Sequence, residues 1–185
     1  MTSPVDVCNI ALLRLGAKPI AALTDDSKQG RFCNRIYNPA RKSELRAYAW
    51  NFARGRSELA ASSEAPAFGF ANAYPLPSDF LRLIPNTTAT DWQIEGKEIL
   101  TNDGTPLQVE YIKDVTDANL FDDLFVDLLA ARIARELAEP LTQSNQKIET
   151  AEAKYLRIEA KAKKLNSFEN VARDTPQESW LTARL

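Results

Sequence analysis

The period of the apolar residues changes twice along this chain, and those changes limit what it can fold into. Near the N-terminus, Val5, Cys8, Leu12 and Leu15 recur at spacings of three and four, which places them on one helical stripe. Around residues 92–112 the apolar residues alternate with polar ones, as in half-buried strands. From Leu120 onward the helical spacing returns. Helix, strand and helix in that order predict an α+β fold, mainly α. The expected architecture is a helical bundle with an inserted small antiparallel β module and an extended C-terminal arm. The bundle is assigned to 1–49 and 114–165, the β-rich insert to 50–113 and the arm to 166–185.

Local signals refine this outline. Ser3 can cap the first helix, Pro4 suits its first turn, Asp6 favours its positive end, and Gly16 can stop it. Thr24-Asp25-Asp26-Ser27 can cap a second helix with Phe32, Ile36 and Tyr37 facing inward. Pro39 predicts a kink or a break, then a helical turn or two through Leu45 to Tyr48. Trp50 and Phe52 alternate and read as a strand entering the insert with a buried aromatic face. Turns at Glu95-Gly96-Lys97 and Asn102-Asp103-Gly104 separate strands at Trp92–Glu95, Ile99-Leu100 and Leu107–Ile112, which together read as a meander. Leu120, Leu124, Leu128 and Ala131 share one helical face, flanked by Phe121, Phe125, Leu129 and Ile133, and Pro140 is expected to end that helix. Ser144 or Asn145 can cap the last long helix. Its seam is Ile148, Ala151, Tyr155, Ile158, Ala162 and Leu165. Beyond it, Trp180-Leu181 either folds back onto the bundle or anchors in a partner's groove, where Trp is enriched as a hot spot.

Composition narrows the chemistry. The chain has 185 residues and no histidine, which removes Ser-His-Asp and Cys-His catalysis and His-ligated zinc. Carboxylate, lysine and serine chemistry stay open. Cys8 and Cys33 cannot supply a four-cysteine site and read as buried hydrophobes. The six glycines form no phosphate-binding loop. Asp25-Asp26, Asp122-Asp123 and Glu149/Glu152 read as capping or solvated acids. No catalytic, cofactor-binding or metal-binding set is therefore expected, and a small carboxylate hydrolase lacks any pocket signature. No run approaches the roughly 18 apolar residues that span a bilayer, and no basic leader opens the chain, so a cytoplasmic origin and no membrane are expected. Net charge is −2, but it is unevenly spread: residues 1–62 carry +5, 63–113 carry −4, 114–139 carry −5 and 140–165 carry +3. In a ring, such opposite-sign sides could meet head to tail. Tyr48, Trp50, Phe52, Arg54 and Arg56 interleave aromatic and basic residues and could instead stack on single-stranded nucleic acid. A sequence pI near 5.4 gives that reading no basic footprint.

Several phrases, in order, carry a resemblance. Ala11 to Ile20 with Leu23 to Ser27, Arg46 with Trp50 to Arg54, Leu76 to Arg82, Ile94 to Gly96, and Tyr111-Ile112 leading to Leu120-Phe121 and Phe125 are the residues concerned. The chain resembles, over nearly its whole length, the tail tubular protein A-like head-to-tail adaptors (connectors) of short-tailed bacteriophages. The resemblance implies a structural protein of the virion tail or neck, assembled in the host cytoplasm. It implies a ring, typically of twelve subunits, between the portal protein and the tail nozzle protein, with a channel through which double-stranded DNA passes without specific binding. It implies that Trp180, Leu181 and Arg184 of the arm anchor on the portal. Trp92, Ile94 and Lys97 of the β insert would face the nozzle or a neighbouring subunit.

Overall fold

The computed structural model describes residues 2–84 and 91–169. Four helices and two three-stranded antiparallel sheets make an α+β fold that is mainly α. The helices are α1 (Pro4–Leu15), α2 (Lys28–Ala47), α3 (Asp123–Thr142) and α4 (Asn145–Phe168). The strands are β1 (Arg54–Leu59), β2 (Asn72–Pro75), β3 (Phe80–Leu83), β4 (Trp92–Glu95), β5 (Glu98–Thr101) and β6 (Leu107–Lys113).

The start of α1 follows from its sequence. Ser3 Oγ accepts from the Asp6 backbone N–H while the Asp6 carboxylate accepts from that of Ser3, so two otherwise unpaired donors are satisfied. Gly16 ends the helix at φ 69°, a left-handed turn that a Cβ would strain. Lys147 of α4 then donates to the Leu15 carbonyl at 2.7 Å, placing a cation on the negative end of α1. Asn9 holds the chain after this turn, exchanging two hydrogen bonds of 2.9 Å with the Ile20 backbone.

Neither Pro39 nor Pro140 breaks its helix. α2 runs through Pro39 and α3 through Pro140. Each proline leaves the carbonyl four residues back without a helical donor. Those carbonyls belong to Arg35 and Glu136, both exposed residues, so water can take the missing partner's place. α3 instead ends at Gln143, in the left-handed region. Lys28 of α2 donates to the Pro140 carbonyl at 2.7 Å.

α3 is the central helix and packs against α1, α2 and α4. Ten of its residues are buried, including Phe125, Leu128, Leu129, Ile133 and Leu137. Leu120 is an exception to its expected stripe: it lies in a short 3-10 turn ahead of α3 and is exposed. Trp50 and Phe52 do not begin a strand. Asn51–Ala53 is a 3-10 turn, and both rings pack into the bundle core, with Phe125 5.3 Å from Trp50 and 5.0 Å from Phe52. Such aromatic pairs add about 0.5–1.5 kcal/mol each beyond their burial.

The insert is not a meander. β6 lies between β1 and β3 in one sheet, and β5 lies between β2 and β4 in the other. Among the described residues only β4 and β5 form a tight hairpin, through Gly96 at φ 58°. The two sheets face each other across a second core, built from Leu59, Leu83, Leu107, Val109 and Tyr111 on one side and Tyr74 and Ile99 on the other. Gly55 lies opposite Tyr111, whose ring leaves little room for a side chain there.

Buried charges on one turn of α2 join the insert to the bundle. Arg41 pairs with Asp114 just after β6 and also donates to the Val115 carbonyl. Burial by itself would raise the Asp114 carboxyl. The Arg41 and Lys42 contacts outweigh that and hold it below the usual range. Glu44 accepts from the Tyr155 hydroxyl of α4 at 3.0 Å and lies 3.8 Å from Arg132 of α3. The Glu44 carbonyl accepts from the Trp50 indole at 2.8 Å. Burial raises the Glu44 carboxyl, while the Tyr155 hydroxyl and Arg132 pull it partly back.

Two outcomes follow. Gly-to-Ala changes inside helices ordinarily stabilise by about 1 kcal/mol. Gly30→Ala should do the opposite, because a Cβ there would lie 2.4 Å from the Asp25 carbonyl oxygen; denaturant melts will show a lower midpoint. For Glu44 the folded-state pKa lies above the unfolded one, so the native state binds the extra proton and gains from it at low pH. Its contribution is fullest below the unfolded value near 4.5 and is lost as pH rises through the raised one. Glu44→Gln should therefore gain stability relative to the parent as pH rises over that window, read from paired denaturation curves.

Candidate functional site

A pair of exposed apolar side chains on one strand edge lies where the two-sheet core runs out of cover. Across the second sheet, Tyr74, Ile99 and Ile94 stand side by side on the inner face. Tyr74 and Ile99 are buried, but Ile94 on the outermost strand is 37% exposed. Trp92, on the same face of β4, is also 37% exposed. β4 pairs only with β5, so its other edge is unpaired among the described residues. Every residue of β4 is exposed. An uncovered edge with large apolar side chains is uncommon, because it invites pairing with another chain.

This edge borders a groove of about 730 Å³ between β3 and β4. Leu76, Phe80, Leu83, Trp92 and Ile94 are among its apolar lining residues. Arg46, Arg82 and Lys97 are its charged residues, and no carboxylate lines it among the described residues. Arg46 is held by donating to the Leu81 carbonyl. Arg82 Nε is buried with no hydrogen-bond partner among the described residues. Behind the lining, Phe80 packs 5.9 Å from the Tyr111 ring, and the Tyr111 hydroxyl donates to Asp79 at 3.0 Å. Burial and that carboxylate together raise the Tyr111 pKa. The groove can hold an apolar segment that carries negative charge. It presents no paired acid and base for proton transfer.

The opposite face of the same sheet has the opposite sign. Glu64, Glu95 and Glu98 line a second depression, of about 550 Å³, with no lysine or arginine among its described lining. The 62–70 loop borders it and carries Phe68, which is 88% exposed.

Trp92, Ile94 and Lys97 thus meet at one groove. Arg46, Leu76, Phe80 and Arg82 join them there; Leu76 and Phe80 to Leu83 stand in the sequence as short apolar pieces between turn residues. Phe68 gave no signal beyond being aromatic in a loop. In the α4 seam, Tyr155, Ile158 and Ala162 are buried, Ile148 and Ala151 are half-buried, and Leu165 is exposed. Trp180, Leu181 and Arg184 lie outside the described residues. α4 continues through Phe168, so residues 166–168 are helical rather than part of an arm, and Asn166 bonds to Asn51 and Ala49.

Several of the remaining acidic candidates have local partners. Asp25 accepts from the Ala21 N–H, Asp26 pairs with Arg31, Asp122 caps α3, and Glu152 lies 3.4 Å from Arg135. Cys8 and Cys33 are buried free thiols in hydrogen-bond contact; that contact, then burial, pushes the Cys8 thiol up. The Trp50 ring is enclosed in the core and Phe52 packs beside it, so bases cannot stack on Trp50. Among the described residues no group of three His, Cys, Asp or Glu could hold a metal ion, and no helix is long and apolar enough to cross a membrane. No family model and no curated protein matches the chain.

Proposed function

We propose that this chain is a structural head-to-tail adaptor of a short-tailed phage virion. In this reading it forms a ring, typically of twelve copies, between portal and tail nozzle. Double-stranded DNA passes through its central channel. The observation that carries the reading is the β4 edge: a short strand, exposed at every residue, that presents Trp92 and Ile94 beside an otherwise well-packed core. A chain that works alone gains nothing from leaving such a surface open, whereas an assembly subunit has it covered by its neighbours. The order of sequence phrases supplies the identity of the assembly.

The charge distribution suits a conduit. Each phosphate neutralised by a lysine or arginine adds salt-dependent affinity, and affinity along a channel is friction. A subunit of net charge −2 repeated around a ring gives no net attraction for DNA. Residues 170–185 act as the arm, with Trp180, Leu181 and Arg184 as its anchors on the portal.

Electron micrographs of the chain mixed with portal rings will test this. Rings capping the portal are expected, and removal of residues 170–185, which leaves α4 whole, should abolish them. A folded chain that ignores portal rings would contradict the reading.

A further inference from the structure

The two faces of the β2–β5–β4 sheet are complementary in charge and in relief. One carries the groove with Arg46, Arg82 and Lys97 around an apolar lining. The other carries Glu64, Glu95 and Glu98 beside the exposed Phe68. Neither patch can satisfy the other within one chain, because the sheet lies between them. We propose that they are the two halves of a single contact between copies of this chain. Phe68 of one copy seats in the groove of the next, and the acidic face around it meets the three cations.

The occupant is a second copy because the chain itself carries both sides of the match. An apolar lining with cations and no carboxylate calls for an apolar anchor that carries negative charge. The 62–70 loop is such an anchor, with its aromatic ring already outside the fold. Groove and anchor are different surfaces, so the contact is heterologous. It leaves one free half at each end and closes only when rotation brings the ends together. The proposal deepens the ring reading above and rests on it for that closure.

The test uses the full chain. A photoreactive benzoylphenylalanine at position 68 should cross-link at millimolar concentration in low salt to a groove peptide of another copy. Phe68→Asp should weaken self-association about tenfold or more in sedimentation. Two half-blocked chains make the decisive arm. One carries Glu64→Lys and Glu95→Lys; the other carries Ile94→Glu and Lys97→Glu. All four positions are exposed, and unchanged circular dichroism melts confirm folding. If either chain misfolds, Phe68→Ser at its exposed loop site replaces the first and Lys97→Glu alone the second. Each half-blocked chain alone should stay monomeric, and the mixture should stop at heterodimers. Absence of the cross-link, unchanged association of Phe68→Asp, or a mixture that forms nothing or goes beyond dimers overturns the contact. Chains with both halves blocked that still cap portal rings would overturn it while leaving the adaptor reading standing. Self-association through Phe68 in a chain that ignores portal would do the reverse.

Discussion

One turn of α2 decides where the β insert sits. Arg41 and Glu44, three residues apart, are both buried and both charged. Arg41 holds Asp114 and Val115, where the chain leaves the insert. Glu44 holds Trp50 through its backbone and Tyr155 through its carboxylate, where the chain enters the insert and where α4 crosses. Removing Asp114 would leave the buried Arg41 guanidinium charged and dry, a loss that typically costs about 3–5 kcal/mol. Both ends of the excursion from Trp50 to Val115 are therefore tied to the same helical turn. The sheets can be small and still have a fixed attitude to the bundle.

That attachment has a consequence for the groove. β3 leads from the bundle side, with Arg46 of α2 donating to the Leu81 carbonyl. One wall of the groove is thus fixed to the helices, and the other is the free edge of β4. A surface with one rigid wall is suited to receiving a neighbour, since less of the association energy is spent on ordering it. The acidic face and Phe68 lie on the far side of the same sheet. A contact made there is carried through the sheet and β3 to α2 and so to the bundle.

Much of the bundle is legible in the sequence because helical signals are local. Ser3, Asp6 and Gly16 mark the ends of α1, and the spacing of α3 announces its broad buried surface. Pro39 does not break α2 and Pro140 does not end α3, because a proline's cost depends on where the orphaned carbonyl points, which the sequence does not state. Trp50 misled because two alternating residues fit a strand and a 3-10 turn equally well. The insert is harder. β1 is Arg54-Gly-Arg-Ser-Glu-Leu59, whose inward side begins with glycine and serine, so its alternation carries no apolar signal. Its partner β6 lies about fifty residues away, and nothing local specifies that pairing. The groove follows from the same non-local arrangement: Trp92 and Ile94 read as a half-buried strand, and only the resemblance points to Trp92, Ile94 and Lys97 as a contact, while Arg46, Phe80 and Arg82 join them only once β3 and β4 are set beside each other.

The central claim is that the β4 edge is open in the free chain and covered in the assembly. Amide hydrogen exchange on the free chain and on the portal-bound chain measures this directly. Free, residues 92–95 should exchange quickly while α3 is slow. Bound, protection should rise at residues 92–95 and in the 62–70 loop, with little change in α3, whose amides are already protected by burial. Equal, rapid exchange of residues 92–95 in both states would contradict the account.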